Sequence, residues 1–228
     1  MNRACRLSLC CLGLIASFAA AADEPGGAIE GTAFYQPDPA RPWRYARYYV
    51  ADAKKGRLAE AVVCLTDRKL RGLRPPSEPR TVTMGQEDYR FIPETIAIRT
   101  GDRVRFTNSD NTLHNVMALG GNDAFNVSLT QDNEHTQSFT RAGNLKQPIK
   151  IGCSFHSQMQ AWIFVFDHPF YAVTGEDGRF RFEGVPPGEY TLELYHPAGG
   201  MRLSRTVTVT AGSLQTIDLR TSPADIAK

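Results

Sequence analysis

Gly152-Cys153-Ser154-Phe155-His156-Ser157-Gln158-Met159 spaces a thiol, an imidazole and a thioether three residues apart, and His114 supplies a second imidazole upstream. Two imidazoles, a thiolate and a weakly held axial thioether make up the trigonal ligand set of a type 1 copper centre. The two sulfur ligands are soft and suit Cu(I), while imidazole suits both oxidation states. The Cys-x-x-His-x-x-Met spacing lets one tight loop present three of these side chains to a single point. The reading is one copper site held by His114, Cys153, His156 and Met159.

Each of these residues also has an ordinary use. Cys64 remains beside Cys153 after the leader discussed below is removed, and two thiols in an oxidising compartment can pair. A disulfide would leave the spacing of His156 and Met159 and the position of His114 without an account. Cys64 sits in Ala61-Val62-Val63-Cys64-Leu65, where a free cysteine acts as a small buried hydrophobe. A single histidine such as His114 is commonly a hydrogen-bonded structural group, and Met159 taken alone would be core filler. Asn115 and Ser154, next to two of the ligands, read equally as outer contacts or as plain turn residues. His135 falls in a polar run. His168 and His196 each precede proline and read as groups that bond backbone at strand ends.

The elements that must position these residues are strands. Helical periodicity is almost absent. Short apolar or alternating runs recur at Ala28–Tyr35, Ala61–Leu65, Glu94–Ile98, Arg103–Thr107, His135–Phe139, Ile149–Ile151 and Ala161–Phe166. They continue at Arg179–Phe182, Tyr190–Tyr195, Leu203–Thr208 and Gln215–Leu219, with Thr81–Thr83 and Ala172–Thr174 as edge strands. Gly, Pro, Asn and Asp separate the runs, the mark of antiparallel β-sandwiches. Glu176-Asp177-Gly178 reads as a hairpin turn between Ala172–Thr174 and Arg179–Phe182.

Phe91-Ile92-Pro93-Glu94-Thr95-Ile96-Ala97-Ile98, Gly101-Asp102-Arg103-Val104-Arg105-Phe106-Thr107-Asn108-Ser109-Asp110 and His114-Asn115-Val116 resemble the opening of a small cupredoxin. The Cys153–Met159 loop and Ala161–Phe166 resemble its close, and the short loop is most similar to that of amicyanin. The resemblance covers residues 81–167. It implies His114, Cys153 and His156 as equatorial ligands, Met159 as the axial one, and a hydrogen bond between Asn115 and Ser154 that ties the two ligand loops. Phe155 departs from the proline that the family often carries there. The resemblance further implies that the His156 edge faces solvent near Leu119, Phe155 and Ala161.

A second resemblance lies in the flanks. Ala172-Val173-Thr174-Gly175-Glu176-Asp177-Gly178-Arg179-Phe180-Arg181-Phe182 and Val185-Pro186-Pro187-Gly188-Glu189-Tyr190-Thr191-Leu192 resemble the later strands of a carboxypeptidase-regulatory-like, transthyretin-like sandwich. Its opening cues lie far upstream, in Glu30-Gly31-Thr32-Ala33 and Leu58–Leu65. The expected fold class is therefore all-β, a cupredoxin Greek-key sandwich (81–167) inserted into a regulatory-like sandwich split into 28–74 and 168–221. Loop tips tolerate such insertions. Arg74–Pro79 and Asp167-His168-Pro169 would be the hinges. One cupredoxin between two independent β units is the competing arrangement. The aromatic and basic segment 37–57 reads as a loop packed on the sandwich with its arginines outward.

Arg3 and Arg6, the apolar run Leu7–Phe18 and Ala19–Ala22 describe a secretory signal over residues 1–22. Removing it takes two Arg from 26 Lys+Arg, leaving 24 against 24 Asp+Glu. Zero formal charge argues against nucleic acid and anionic membranes as partners. The expectation is a periplasmic or secreted chain with no membrane insertion after processing. No nucleophile–base constellation, phosphate-cradling glycine loop or His-Cys-His run is present, so an enzyme is not expected. A coordinatively filled copper site suits one-electron transfer to or from a redox partner, a cytochrome or a dehydrogenase. Copper delivery, and a copper-free interaction module, are the other classes. The whole arrangement resembles methylamine-utilisation-type exported cupredoxins, a label from which no methylamine chemistry follows.

Overall fold

The computed structural model describes residues 25–36, 50, 54–73, 78–118 and 124–225. The expected leader (1–22), residues 37–49 and 51–53 of the aromatic segment, residues 74–77 of the proline-rich stretch and Leu119 lie outside the described residues. The described chain is all β, without α-helix and with two short 3-10 turns, Arg68–Leu70 and Pro223–Asp225.

The strands are β1 (Gly27–Tyr35), β2 (Val62–Thr66), β3 (Thr81–Glu87), β4 (Arg90–Ile92), β5 (Thr95–Arg99) and β6 (Arg103–Asn108). Next come β7 (His114–Ala118), β8 (Phe125–Leu129), β9 (Glu134–Ser138), β10 (Ile149–Gly152) and β11 (Gln160–Phe166). The last six are β12 (Tyr171–Val173), β13 (Arg179–Val185), β14 (Gly188–His196), β15 (Met201–Val209), β16 (Leu214–Thr216) and β17 (Leu219–Thr221).

They form four sheets. The first runs β13-β1-β16, with β17 also on β1; the second runs β12-β2-β14-β15. The third runs β5-β11-β10-β7-β8 and the fourth β4-β3-β6-β9. Strands from the start of the chain thus share sheets with strands from its end. β1 pairs antiparallel with β13, Ile29 opposite Phe182. β2 pairs antiparallel with β14, Leu65 opposite Leu192, and with β12, Cys64 opposite Tyr171. β3 to β11 make up the other two sheets.

Side-chain alternation turns these sheets into layers, because successive residues of a strand point to opposite faces. Ile29, Ala33, Val63, Leu65, Phe180, Leu192 and Leu194 close one core between the first two sheets. Met84, Phe91, Phe106, Val116, Ile151, Ala161, Ile163 and Val165 close another between the third and fourth. A third, smaller cluster joins Val62, Cys64, Phe164 and Phe166, with Trp162, Tyr171 and Tyr195 packed on it. It holds the outer face of the second sheet against the outer face of the third.

Two strands are therefore buried on both sides, and their sequences say so. β11 sends Ala161, Ile163 and Val165 one way and Phe164 and Phe166 the other; β2 divides Val63 and Leu65 from Val62 and Cys64 in the same fashion. Such strands are continuous apolar runs rather than alternating ones. Phe166 stacks on Tyr171 with ring centroids 4.5 Å apart, and Phe164 meets Tyr195 edge-on at 5.8 Å. Burying each phenylalanine contributes roughly 2–3 kcal/mol. A polar tie crosses the same junction, where the Thr95 amide donates to the Glu60 carboxylate at 2.6 Å. Burial of Glu60 raises its pKa, outweighing that hydrogen bond.

Gly31 shows why the first sheet demands a glycine. A Cβ there would lie 1.8 Å from the Ile217 carbonyl oxygen, where the β16–β17 connection presses on β1. The Glu176-Asp177-Gly178 turn corrects the hairpin expectation. β12 pairs with β2 and β13 pairs with β1, so the turn carries the chain from one sheet to the other. Partners supplied from the start of the chain displace the local pairing.

Candidate metal centre

The centre lies at one end of the third and fourth sheets, where three loops meet. The first loop joins β6 to β7 and ends on His114, which is fully buried. Asn108 shapes it: its Nδ2 donates to the carbonyls of Thr112 (2.8 Å) and Leu129 (2.9 Å), and its Oδ1 accepts from the Asp110 amide at 2.9 Å. The second loop is Cys153–Met159, between β10 and β11. Two backbone bonds close it into a hook, from the Cys153 amide to the Met159 carbonyl (3.3 Å) and from the Met159 amide to the His156 carbonyl (3.0 Å). The third is the tight β3–β4 turn at Asp88-Tyr89.

The hook and the first loop bring three donor atoms together. His114 Nδ1 and His156 Nδ1 stand 3.0 Å apart, and His156 Nδ1 is 3.7 Å from Cys153 Sγ. The ligand atoms of His114, Cys153 and His156 all lie within 4.8 Å of one another. Bonds of roughly 2.0–2.3 Å to nitrogen and sulfur, as at zinc, leave donor atoms about 3–4 Å apart, so the set fits one ion. Met159 ends the hook, 1% exposed, in the same core as Cys153. Cys153 is 6% exposed, His156 is half-buried, and both Cys153 and Cys64 are free thiols. Cys64 instead faces the junction between the two sandwiches. Burial drives its thiol pKa well above the usual range, which keeps it protonated and unreactive.

Outer contacts orient the donors. The Asn115 amide donates to Cys153 Sγ at 3.5 Å. Ser154 donates to Asn115 Oδ1 through its amide (2.6 Å) and its hydroxyl (3.2 Å), so Asn115 ties the two ligand loops together. The other end of the Asn115 amide donates to Asn126 Oδ1 on β8. Hydrogen bonds at the cysteine sulfur tune the potential of such sites.

Two contributors carry no signal in the sequence pattern. Asp110 Oδ2 lies 2.8 Å from His114 Nε2. Its carboxylate also accepts the Asp88 amide at 2.8 Å and the Tyr89 amide at 3.0 Å. Burial alone would raise the Asp110 pKa; the Tyr89 amide, the His114 imidazole and the Asp88 amide outweigh it and hold the carboxyl below its ordinary value. An ionised Asp110 accepts a hydrogen bond from the Nε2–H of His114, which leaves the Nδ1 lone pair facing Cys153 and His156. The second contributor is Tyr89. Its ring lies edge-on to both imidazoles, 5.4 Å from His114 and 4.9 Å from His156.

The remaining histidines take no part. His168 Nδ1 accepts from the Phe170 amide (3.2 Å) and His196 Nδ1 from the Gly199 amide (2.9 Å). His135 is half-buried against Phe125. Of the patch expected around His156, Phe155 is 53% exposed, whereas Ala161 is fully buried in the core, because the alternation of β11 turns it inward. Among the described residues no other group of three His, Cys, Asp or Glu side chains converges in this way.

The comparisons with known proteins fall on both sandwiches. Residues 160–222 match the family model of the carboxypeptidase regulatory-like domain. The matched range opens on β11, which pairs in the third sheet, and runs through β12–β17 of the regulatory-like sheets. Among solved structures, the chain is similar to amicyanin from Paracoccus versutus at 21% identity, covering 46% of this chain and 97% of that one, with a TM-score of 0.34. A purple cupredoxin from Nitrosopumilus maritimus is 22% identical over 37% of this chain and 98% of that one, with a TM-score of 0.32. A copper-containing nitrite reductase from Thermus scotoductus is 22% identical over 46% of this chain and 27% of that one, with a TM-score of 0.36. No curated protein matches the sequence. No helix among the described residues is long and apolar enough to cross a membrane.

Proposed function

We propose that this chain is an exported type 1 copper protein that carries single electrons to or from a redox partner in the periplasm. The observation that supports this reading most is the meeting of His114 Nδ1, His156 Nδ1 and Cys153 Sγ within 4.8 Å. Met159, on the same hook, would complete the set. Copper bound there supplies a Cu(I)/Cu(II) couple. The chain's own residues hold the donors in place by the contacts of Asn115, Ser154 and Asp110, and little rearrangement accompanies exchange. A filled coordination set offers no position to a substrate, which favours a carrier over an enzyme.

Around the half-buried His156, the exposed side chains of Phe155, Tyr89 and Leu113 offer apolar contact. The loops at this end also carry exposed Glu87, Asp88 and Asp132, while Arg90 pairs with Glu94 at 3.0 Å and Glu134, at the start of β9, with Arg105 at 3.9 Å. A small, transient encounter with a cytochrome or dehydrogenase whose redox edge has a basic rim suits such a face. The pairing of β1 and β2 with strands after Tyr171 favours a cupredoxin unit, 81–167, inserted into a regulatory-like sandwich formed by 28–74 and 168–221. Residues 1–22 fit a secretory leader, which supports export to an oxidising compartment.

Titrating the apoprotein with Cu(II) and recording the visible spectrum tests the reading. A carrier turns intensely coloured, cycles reversibly with ascorbate and an oxidant, and retains its metal. A delivery protein hands Cu(I) to an acceptor, and an interaction module stays colourless.

A further inference from the structure

Tyr89 stands where a glycine or asparagine is usual. It and Asp88 occupy the β3–β4 turn with φ of 59° and 51°. Two successive positive φ values are the signature of the tight turns that favour Asn-Gly, and a bulky ring is disfavoured in that conformation. A strained residue persists only where its surroundings over-determine it, and such residues gather at functional sites. Here the surroundings are specific. Asp110 clamps both turn amides, the Tyr89 hydroxyl lies 3.1 Å from Thr112 Oγ1, and the ring meets both imidazoles at near right angles, 87° and 86°. The two imidazoles are themselves 4.8 Å apart, centroid to centroid, and the three rings form a closed edge-to-face set. The carboxylate that orients His114 therefore also fixes the ring that covers it.

We propose that Tyr89 is a positioning residue: a cap whose ring holds the His114–His156 pair in register and slows the exchange of the metal with solvent. The inference rests on the copper reading above and adds to it the device that retains the ion. Asp110 links cap and ligand, so loss of the turn loosens His114. Without the ring, His156, already half-buried rather than buried, is open to water and to competing ligands.

Three variants of the full chain test the cap. Tyr89→Phe keeps the ring and loses only the contact with Thr112. Tyr89→Ala removes the ring. Tyr89→Gly removes it and suits the positive φ, so the turn relaxes and the fold is preserved. In the apoprotein, NMR should show ring-current shifts of the His114 and His156 ring protons in wild type and Tyr89→Phe, lost in the other two. With copper loaded, transfer of Cu(I) to bicinchoninate should be at least about tenfold faster in Tyr89→Gly and Tyr89→Ala than in wild type, with Tyr89→Phe close to wild type. Tyr89→Gly should melt at or above the wild-type temperature, which separates metal retention from fold stability. Equal release rates in wild type and Tyr89→Gly, or the absence of ring-current shifts in the wild-type apoprotein, would overturn the proposal. A colourless wild type whose ring-current shifts are present would instead overturn the copper reading and leave the imidazole contacts standing.

Discussion

Asp110 Oδ2 and His114 Nε2 lie 2.8 Å apart, and through that carboxylate the Asp88-Tyr89 turn is fastened to the candidate metal centre. The remaining lone pairs of the carboxylate receive the Asp88 and Tyr89 amides. Asp110→Ala should weaken copper affinity roughly 10- to 100-fold, the usual consequence of removing a partner that orients a ligating histidine. Asp110→Asn keeps an acceptor oxygen and should fall between. Competition for copper against a chelator of known affinity measures both.

The junction between the sandwiches rests on few side chains. Phe166 is fully buried, facing Tyr171 across the junction rather than either sandwich core. Phe166→Ala should lower stability by about 3–5 kcal/mol. The hook lies at the opposite end of β11, so the coloured site should survive in whatever fraction stays folded. Guanidinium unfolding followed by tryptophan fluorescence, with the visible spectrum recorded alongside, gives both answers.

His196 predicts the response of the apoprotein to acid. Burial lowers its pKa to about 4, and backbone contacts, which raise it, do not compensate. In the unfolded chain the ring takes up its proton near pH 6.5. Between these values the unfolded state binds more protons, so its stabilising share is complete above about pH 6.5 and is lost as pH falls towards 4, roughly 3 kcal/mol in all. His196→Asn, whose Oδ1 can still accept the Gly199 amide, should flatten that part of the stability curve. Thermal melts of wild type and variant at half-unit steps from pH 4 to pH 7.5 reveal the slope, and identical curves would contradict the assignment.

Charge around the apolar patch sets the salt response of electron exchange. With Glu87, Asp88 and Asp132 exposed on the loops at this end of the sandwich, a cationic oxidant such as tris(phenanthroline)cobalt(III) should react fastest at low ionic strength. Its rate should fall roughly tenfold on screening. Anionic hexacyanoferrate(III) should show the opposite slope. Replacing these three acids by Gln and Asn should remove both trends in stopped-flow traces.

Much of the fold is legible in the residue pattern. The double-sided runs Val62–Leu65 and Ala161–Phe166 read as strands because burial on both faces leaves no polar alternation. β4, β7 and β8 escape that reading. β7 opens with His114 and Asn115, polar residues buried for the sake of the site, and β8 exposes Asn126 and Ser128 between its apolar positions. The Cys153–Met159 hook is visible in sequence because its donors are close together in the chain. Asp110 and Tyr89 are not, since a turn conformation and a parallel β3–β6 pairing bring them together from 21 positions apart. The resemblance puts Ala161 in the solvent-facing patch, and only the alternation of β11 shows it pointing inward. The sheet switch at Gly178 was likewise hidden, because its partners lie more than a hundred residues upstream.

The most direct measurement of the central claim is the visible and EPR spectrum of the copper-titrated wild type beside Cys153→Ser and His114→Ala. One equivalent of Cu(II) should give wild type an intense thiolate-to-copper band and a narrow parallel hyperfine splitting, both abolished by Cys153→Ser and lost or broadened in His114→Ala. A wild-type protein that stays colourless, or that binds copper with the same spectrum after Cys153 is replaced, would contradict it.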